Sequence, residues 1–233
     1  MERAFPASGG TPRVMAAPDV EIGPLRREEI GAVAELHHGF FGGPDHAHSL
    51  ARMGPGFLAD VFYGPSFDNP HFHVDVARSG AQLVGFSVYV SDATSVFRRT
   101  LLRHPFAIAI GVLRHAARHP VDVARHVLHN VAFVSGRLPP EIADVRGHYL
   151  LHGVLPAYRG GMKITAEFWM RMERGLRAAG CTALWGAPAV ANPPINRVFQ
   201  MFGARQVATG TVQGIECVYY RKDLPSPART STT

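Results

Sequence analysis

The segment Leu150-Leu151-His152-Gly153-Val154-Leu155-Pro156-Ala157-Tyr158-Arg159-Gly160-Gly161 sets groups that move protons beside groups that hold negative charge. Its first half is apolar enough for a buried strand, and Pro156 marks the exit. Arg159-Gly160-Gly161 is then a turn in front of a long helix. A glycine turn at a helix N-terminus offers an anion backbone N–H groups and the positive end of the helix dipole. Arg159 adds a forked cation whose geometry suits phosphate. The turn and the residues after it, Met162, Lys163 and Ile164, are thus where this chain would hold a pyrophosphate. Glycine lets a backbone approach phosphate closely; Met162 and Ile164 crowd that approach. Histidines lie on the strand leading in. Residues two apart share a strand face, which groups His148, Leu150, His152 and Val154. Imidazole titrates near neutrality, so His148 or His152 can serve as a general base. The plainer reading makes His148 a strand-edge residue and His152 a satisfied interior one.

Other candidates carry less. His115 and His119 are spaced i, i+4, and His126 and His129 i, i+3, but no acidic or thiolate ligand accompanies them. They read as a solvated basic face, and no metal is expected. His37-His38 and His46-x-His48 read as loop and helix-end residues. Asn192, before Pro193-Pro194, either caps a helix or bonds a bound cofactor. Trp169 and Trp185 read as core. Cys181 and Cys217 are the only cysteines; two do not make a disulfide framework, which fits reduced core residues and a cytoplasmic chain.

These residues need a scaffold. With 233 residues, 46% hydrophobic and 18% charged, the chain is of the soluble globular class. No apolar run reaches the length of a membrane span. Met1 to Pro18 lacks the apolar core of a signal peptide and reads as a flexible tail, as do residues 225–233. The net charge of +6 is carried almost wholly by arginine, which suits an anionic partner. The set of zinc-ligand cysteines or RNA-binding aromatics that would point to nucleic acid is missing.

Hydrophobic spacing predicts a strand at Val20–Leu25, a helix over Arg26–Phe41, and a helical segment over Leu50–Phe62 broken near Gly54-Pro55-Gly56. A half-buried strand from His71 to Val76 turns at Ser79-Gly80 into a partner at Leu83–Val90. Thr94 to Arg137 reads as two or three basic amphipathic helices. After the strand at Tyr149–Leu155 come a helix at Thr165–Ala179 ended by Gly180 and a strand at Thr182–Ala187. A short helix at Pro194–Phe202 and a hairpin centred near Gln213-Gly214 complete the order. Strands joined through helices pair parallel and hairpins pair antiparallel, so the fold class is α/β with a mixed sheet.

Together these features resemble the GNAT superfamily of N-acetyltransferases. In that family a strand ending Val-x-Pro-x-Tyr-Arg-Gly leads into the loop that grips the coenzyme A pyrophosphate. Val154, Pro156, Tyr158, Arg159 and Gly160 match it. Asn192, Phe199 and Gly203 fall where the family has Asn, Tyr and Gly, Gly85-Phe86 fits its second hairpin strand, and Cys217–Leu224 looks like its last strand. The resemblance covers Val20 to Leu224, with Thr94–Arg137 as an insertion. It implies a central sheet in which two parallel strands splay and the pantetheine arm lies between them. Val154, Leu155, Arg159, Gly160, Gly161, Met162, Lys163, Ile164, Asn192 and Phe199 would then contact the cofactor. A free backbone N–H near Val154 would polarise the thioester, and His148 would stand where many members carry the base. The chain departs from the family at Met162 and Ile164, where small residues are usual, and at Ala204, where Phe is usual. It departs again at Phe199, which cannot donate a proton; Tyr158, water or no acid at all must serve.

The resemblance implies an N-acyltransferase using acetyl-CoA or another acyl-CoA, without a metal. A small amine or amino sugar would attack the thioester directly, since no cysteine stands in the motif as a nucleophile. Two alternatives stay open. The donor can be an acyl carrier protein, whose acidic surface would meet the arginines, or the fold can bind and regulate without turnover. The insertion reads as a lid, an acyl-chain pocket, a dimer interface (a homodimer is compatible) or a basic membrane-surface helix.

Overall fold

A computed structural model describes residues 19–43, 50–93, 95–117, 120, 138–212 and 214–225. Both predicted tails and most of the second half of the insertion, with His119, His126 and His129 and whatever part of the expected two or three helices falls there, lie outside the described residues; so do His46 and His48.

Seven strands form one sheet. They are β1 (Glu21–Pro24), β2 (Phe72–Ser79), β3 (Gln82–Val90), β4 (Gly147–Val154), β5 (Ala183–Gly186), β6 (Arg205–Val212) and β7 (Ile215–Asp223), in the order β1-β2-β3-β4-β5-β7-β6. Every neighbouring pair is antiparallel except β4 with β5. The expectation that strands joined through helices pair parallel holds for β4 and β5 but not for β1–β2 or β3–β4, which are also joined through helices and pair antiparallel. The hairpin turns use Gly80 (φ 57°) and Gly214 (φ 82°), in the left-handed region that glycine enters without steric cost.

Among the described residues the longer α-helices are α1 (Ile30–Phe41), α2 (Val96–Arg103), α3 (Pro105–Ala116), α4 (Lys163–Ala178) and α5 (Pro193–Met201). Between α1 and β2 the expected helical segment is present as one short turn, Ala51–Met53, and, after Gly54, a continuous helical run, Pro55–Phe57, Leu58–Tyr63 and Gly64–Ser66, whose middle is wound as a π-helix. Gly54, at φ 86°, breaks it where the glycines and proline predicted.

One sheet face packs Phe72, Val76, Phe86, Val88 and Leu151 against Val33 of α1 and against Leu58, Phe62 and Tyr63 of the π-helical stretch. The other packs Tyr89, Tyr149, Leu184 and Tyr220 against Trp169, Met172 and Leu176 of α4 and Val198 and Phe199 of α5. With both faces covered, the half-buried reading of β2 fails. Asp75, expected toward water, is only 5% exposed, because α4 lies over it and Arg171 reaches its carboxylate at 3.1 Å. Glu173 of α4 is buried as well. It accepts from Trp169 Nε1 at 2.5 Å and Arg177 Nη2 at 2.6 Å, and pairs with Lys222 of β7.

Candidate functional site

The parallel strands meet only at Gly147↔Leu184 and His148↔Trp185 and then separate. A wedge of aromatic rings stands where they part. The Phe199 ring is stacked on Tyr220 (centroids 5.0 Å, 17°) and set edge-on to Tyr149 (5.2 Å) and Trp169 (5.3 Å). It lies so close to β5 that a Cβ on Gly186 would come within 2.4 Å of Phe199 Cζ. Glycine at 186 is thus required by the wedge. Phe199 is fully buried, so the expectation that it contacts a cofactor is corrected: it builds the gap and presents no surface to it.

Beyond the last β4–β5 pair, the β4 edge is open toward β5 as far as Val154. The Leu155 N–H is already bonded to Val84 O on the β3 side at 2.8 Å. Successive backbone groups of a strand point to opposite edges, so the Val154 N–H and C=O face the open side. Arg159 Nε donates to that carbonyl at 2.8 Å. The guanidinium is therefore anchored by one nitrogen at the rim of the gap, and its other N–H groups remain for an anion. Leu155 brings a half-buried side chain, not a free N–H.

The turn after Arg159 differs from the glycine cradle the sequence suggests. Gly160 is exposed with no heavy atom within 4 Å of a built Cβ. The left-handed residue is Met162 (φ 60°), directly before α4. Its half-buried side chain packs on the aromatic cluster of Trp169 and Phe199. Ile164 is buried with Val154 and Phe168. Crowding of a phosphate by Ile164 is thereby overturned, since that side chain belongs to the core. Lys163 is exposed at the first position of α4, and Gly161 lies within the turn Gly160–Met162. Tyr158 ends the turn Pro156–Tyr158 and packs against the Val154–Ile164–Phe168 cluster.

The shared face of His148 and His152 does not exist. Between β3 and β4 the register shifts, Val88 pairing with Leu151 but Tyr89 with Tyr149, so Leu150 is an extra residue, a β-bulge. His152 and Val154 face α4, where His152 Nε2 lies 3.1 Å from Thr165 Oγ1. His148 faces the opposite side and stacks on Trp185 at 3.6 Å and 7°. Burial pushes the His148 pKa down to about 3. Burial and then the charge of Arg159 push that of His152 down to about 4. Both rings are neutral at pH 7, and neither titrates near neutrality.

A pH dependence of stability follows. Below the ordinary value of 6.5 the unfolded chain protonates these histidines while the folded chain does not. The unfolded state then binds more protons, so stability is lost as pH falls from 6.5 toward 4, by up to about 1.4 kcal/mol per pH unit for each ring. Urea unfolding at pH 7 and pH 4.5 is expected to show a smaller loss in His152→Gln than in the parent. An equal loss in both would show that His152 is protonated in the fold.

Asn192 is exposed before α5 and its side chain makes no capping bond. The fastening is done by Asn196, whose Nδ2 donates to Ala189 O and Asn192 O, each at 2.8 Å. Sequence reasoning missed Asn196, although an amide one turn after a Pro-Pro helix start was the available signal. His37 is fully buried with Nδ1 at 3.0 Å from Tyr63 OH, and His115 sits on Phe57, so both serve packing. A cavity of about 190 Å³ lies at the β1–β2–β3 edge, lined by Pro24, Tyr63, His73, Asp75 and Tyr89, with no residue of the β4–β5 gap.

Among solved structures, the chain is similar to SsHAT, with 20% identity, a TM-score of 0.61, and 90% of this chain and 100% of that one covered. The chain has the GNAT fold. Similar too are yncA of Salmonella typhimurium, solved with its cofactor acetyl-CoA (11% identity, TM-score 0.56, coverage 92% and 99%), and an N-acetyltransferase of Staphylococcus aureus Mu50 (13%, 0.55, coverage 89% and 99%). No family model and no curated protein matches the sequence. The parallel strands that part after two residue pairs are the splayed pair which the resemblance implied for this fold.

Proposed function

We propose that the chain is an N-acyltransferase that takes its acyl group from acyl-CoA and passes it to an amine by direct attack on the thioester. The observation that carries this reading is the open edge of β4 at Val154 with Arg159 anchored beside it. A pantetheine arm is an extended chain of amides, and a free strand edge is its natural complement. The Val154 N–H is placed to stabilise the developing oxyanion. Arg159, the N–H groups of the turn Gly160–Met162 and exposed Lys163 would take the pyrophosphate, with exposed Asn192 beside the arm. The residues fit a phosphate-bearing donor, and acetyl-CoA, the ligand of yncA, is the first to try.

Arg159→Ala is expected to weaken coenzyme A binding by about 1.5–3 kcal/mol, the worth of a charge-assisted bond. Calorimetric titration with acetyl-CoA and with free coenzyme A checks it. Unchanged affinity would move the reading to a carrier-protein donor or to a binding protein without turnover. For the proton, neutral His148 and His152 leave the amine to lose its charge to water. The pH profile of kcat/KM is then expected to follow the acceptor amine and to be the same in His148→Gln. A limb near neutrality that disappears in that variant would restore His148 as the base.

A further inference from the structure

Nine large apolar side chains are exposed among the described residues, and six of them stand on α2 and α3. They are Phe97 (45% exposed), Leu101 (53%), Leu102 (72%), Phe106 (82%), Ile110 (55%) and Leu113 (68%). The two helices join at His104-Pro105, which sets Leu102 and Phe106, the most exposed pair, on either side of an elbow. The usual helix pattern is inverted in α3. Its buried residue is Gly111, where a Cβ would meet Val61 Cγ2 at 2.7 Å, so the helix backbone presses on the π-helical stretch Leu58–Tyr63. Its bulky residues, Phe106, Ile110 and Leu113, one helical turn apart in succession, face outward. A helix built to fill its own core would do the reverse.

Charge says what covers this face. From Val96 to Ala116 there are four arginines, Arg98, Arg99, Arg103 and Arg114, and no Asp or Glu. Arg114 is offset in part by Asp60 at 3.5 Å, and Arg99 by Asp92 at 3.9 Å. Arg98 and Arg103 are exposed on α2 beside Leu101 and Leu102. A second copy meeting this surface across a two-fold would set arginine against arginine. Projecting Leu and Phe side chains flanked by arginine suit a layer of acidic headgroups over acyl chains. No described helix is long and apolar enough to cross a membrane, so the contact is peripheral.

We propose that the α2–α3 elbow docks the protein on an anionic phospholipid bilayer, with Leu102 and Phe106 inserted and Arg98 and Arg103 on the headgroups. α2 follows the end of β3, where Val90 pairs with His148. The turn at Arg159 leaves the other end of β4, beyond Val154, roughly 20 Å away at the rise of a strand. Docking therefore leaves the donor-binding turn facing water.

The test is flotation of the full chain with phosphatidylcholine vesicles containing or lacking phosphatidylglycerol. Binding is expected only with phosphatidylglycerol, and weaker at high salt. Leu102→Asp with Phe106→Asp should lower partitioning by about tenfold or more. Arg98→Gln and Arg103→Gln should each lower it roughly fivefold. These positions are exposed, so melting should be unchanged; Ile110→Ser is a milder variant if the aspartates disturb folding. Absence of binding by the parent, or undiminished binding by the variants, would overturn the proposal. So would a stable dimer of the parent that the aspartates dissociate, since a second copy would then cover the elbow.

Discussion

Phe199→Ala is expected to cost about 3–5 kcal/mol of folding stability, at the upper end for a single side chain. The ring is fully buried and touches Tyr149, Trp169 and Tyr220, so its loss leaves a cavity walled by rigid aromatic groups that collapse poorly. Two further features set it apart from ordinary core packing. Gly186 has no side chain to move into the space, and the ring stands where β5 parts from β4. Urea unfolding measures the stability, and titration with coenzyme A measures the gap. Affinity is expected to fall along with stability, although Phe199 exposes no surface to a ligand. A loss under about 1 kcal/mol would mean that the gap is held open by something else.

The second large effect concerns Glu173. Removing one partner of a buried ion pair strands the other, at a cost of about 3–5 kcal/mol. Glu173→Ala would strand Lys222, leave the Arg177 head, 36% exposed, to water, and leave the Trp169 N–H without its acceptor. Lys222 lies over the Trp169 ring at 5.8 Å, so its charge keeps one favourable contact, and the lower half of that range is the better expectation. Replacing the pair with apolar groups of similar size, Glu173→Leu with Lys222→Met, is expected to restore part of the loss, because Lys222 is then no longer left unpaired, while Arg177, 36% exposed, turns to water. Chemical unfolding of the two single variants and the double variant forms a cycle. A double variant as unstable as the sum of the singles would show that the cluster is held by shape rather than by charge.

How much of this was legible in the sequence depends on which forces left a periodic trace. Strand, turn and helix around Val154–Gly161 announce themselves, because a run of apolar residues, a proline and a glycine pair each have one local meaning. The parallel pairing of β4 with β5 agrees with the helix between them, but β1–β2 and β3–β4 pair antiparallel across helices, so the connection alone does not fix strand direction. The bulge at Leu150 leaves no trace: an extra residue is visible only against the partner strand, and strict alternation then assigns His148 to the wrong face. Asp75 reads as solvent-facing by strand alternation, and nothing local marks Glu173 as buried; their partners Arg171 and Lys222 are distant in sequence. Met162 reads as an obstacle at a glycine position, and its left-handed backbone and aromatic contacts exist only once α5 is in place.

Leu150 has one more consequence, which concerns transplantation of this strand. Its surplus residue inverts parity along β4. Before it, odd positions such as Tyr149 look toward α4; after it, even positions such as His152 and Val154 do. A chimera that splices β4 from a relative must therefore cross over on one side of Leu150 and take the matching register with it. A crossover that drops the residue would swing Tyr149 away from Phe199 and turn His148 in beneath α4, exchanging the occupants of two compartments through a single deletion.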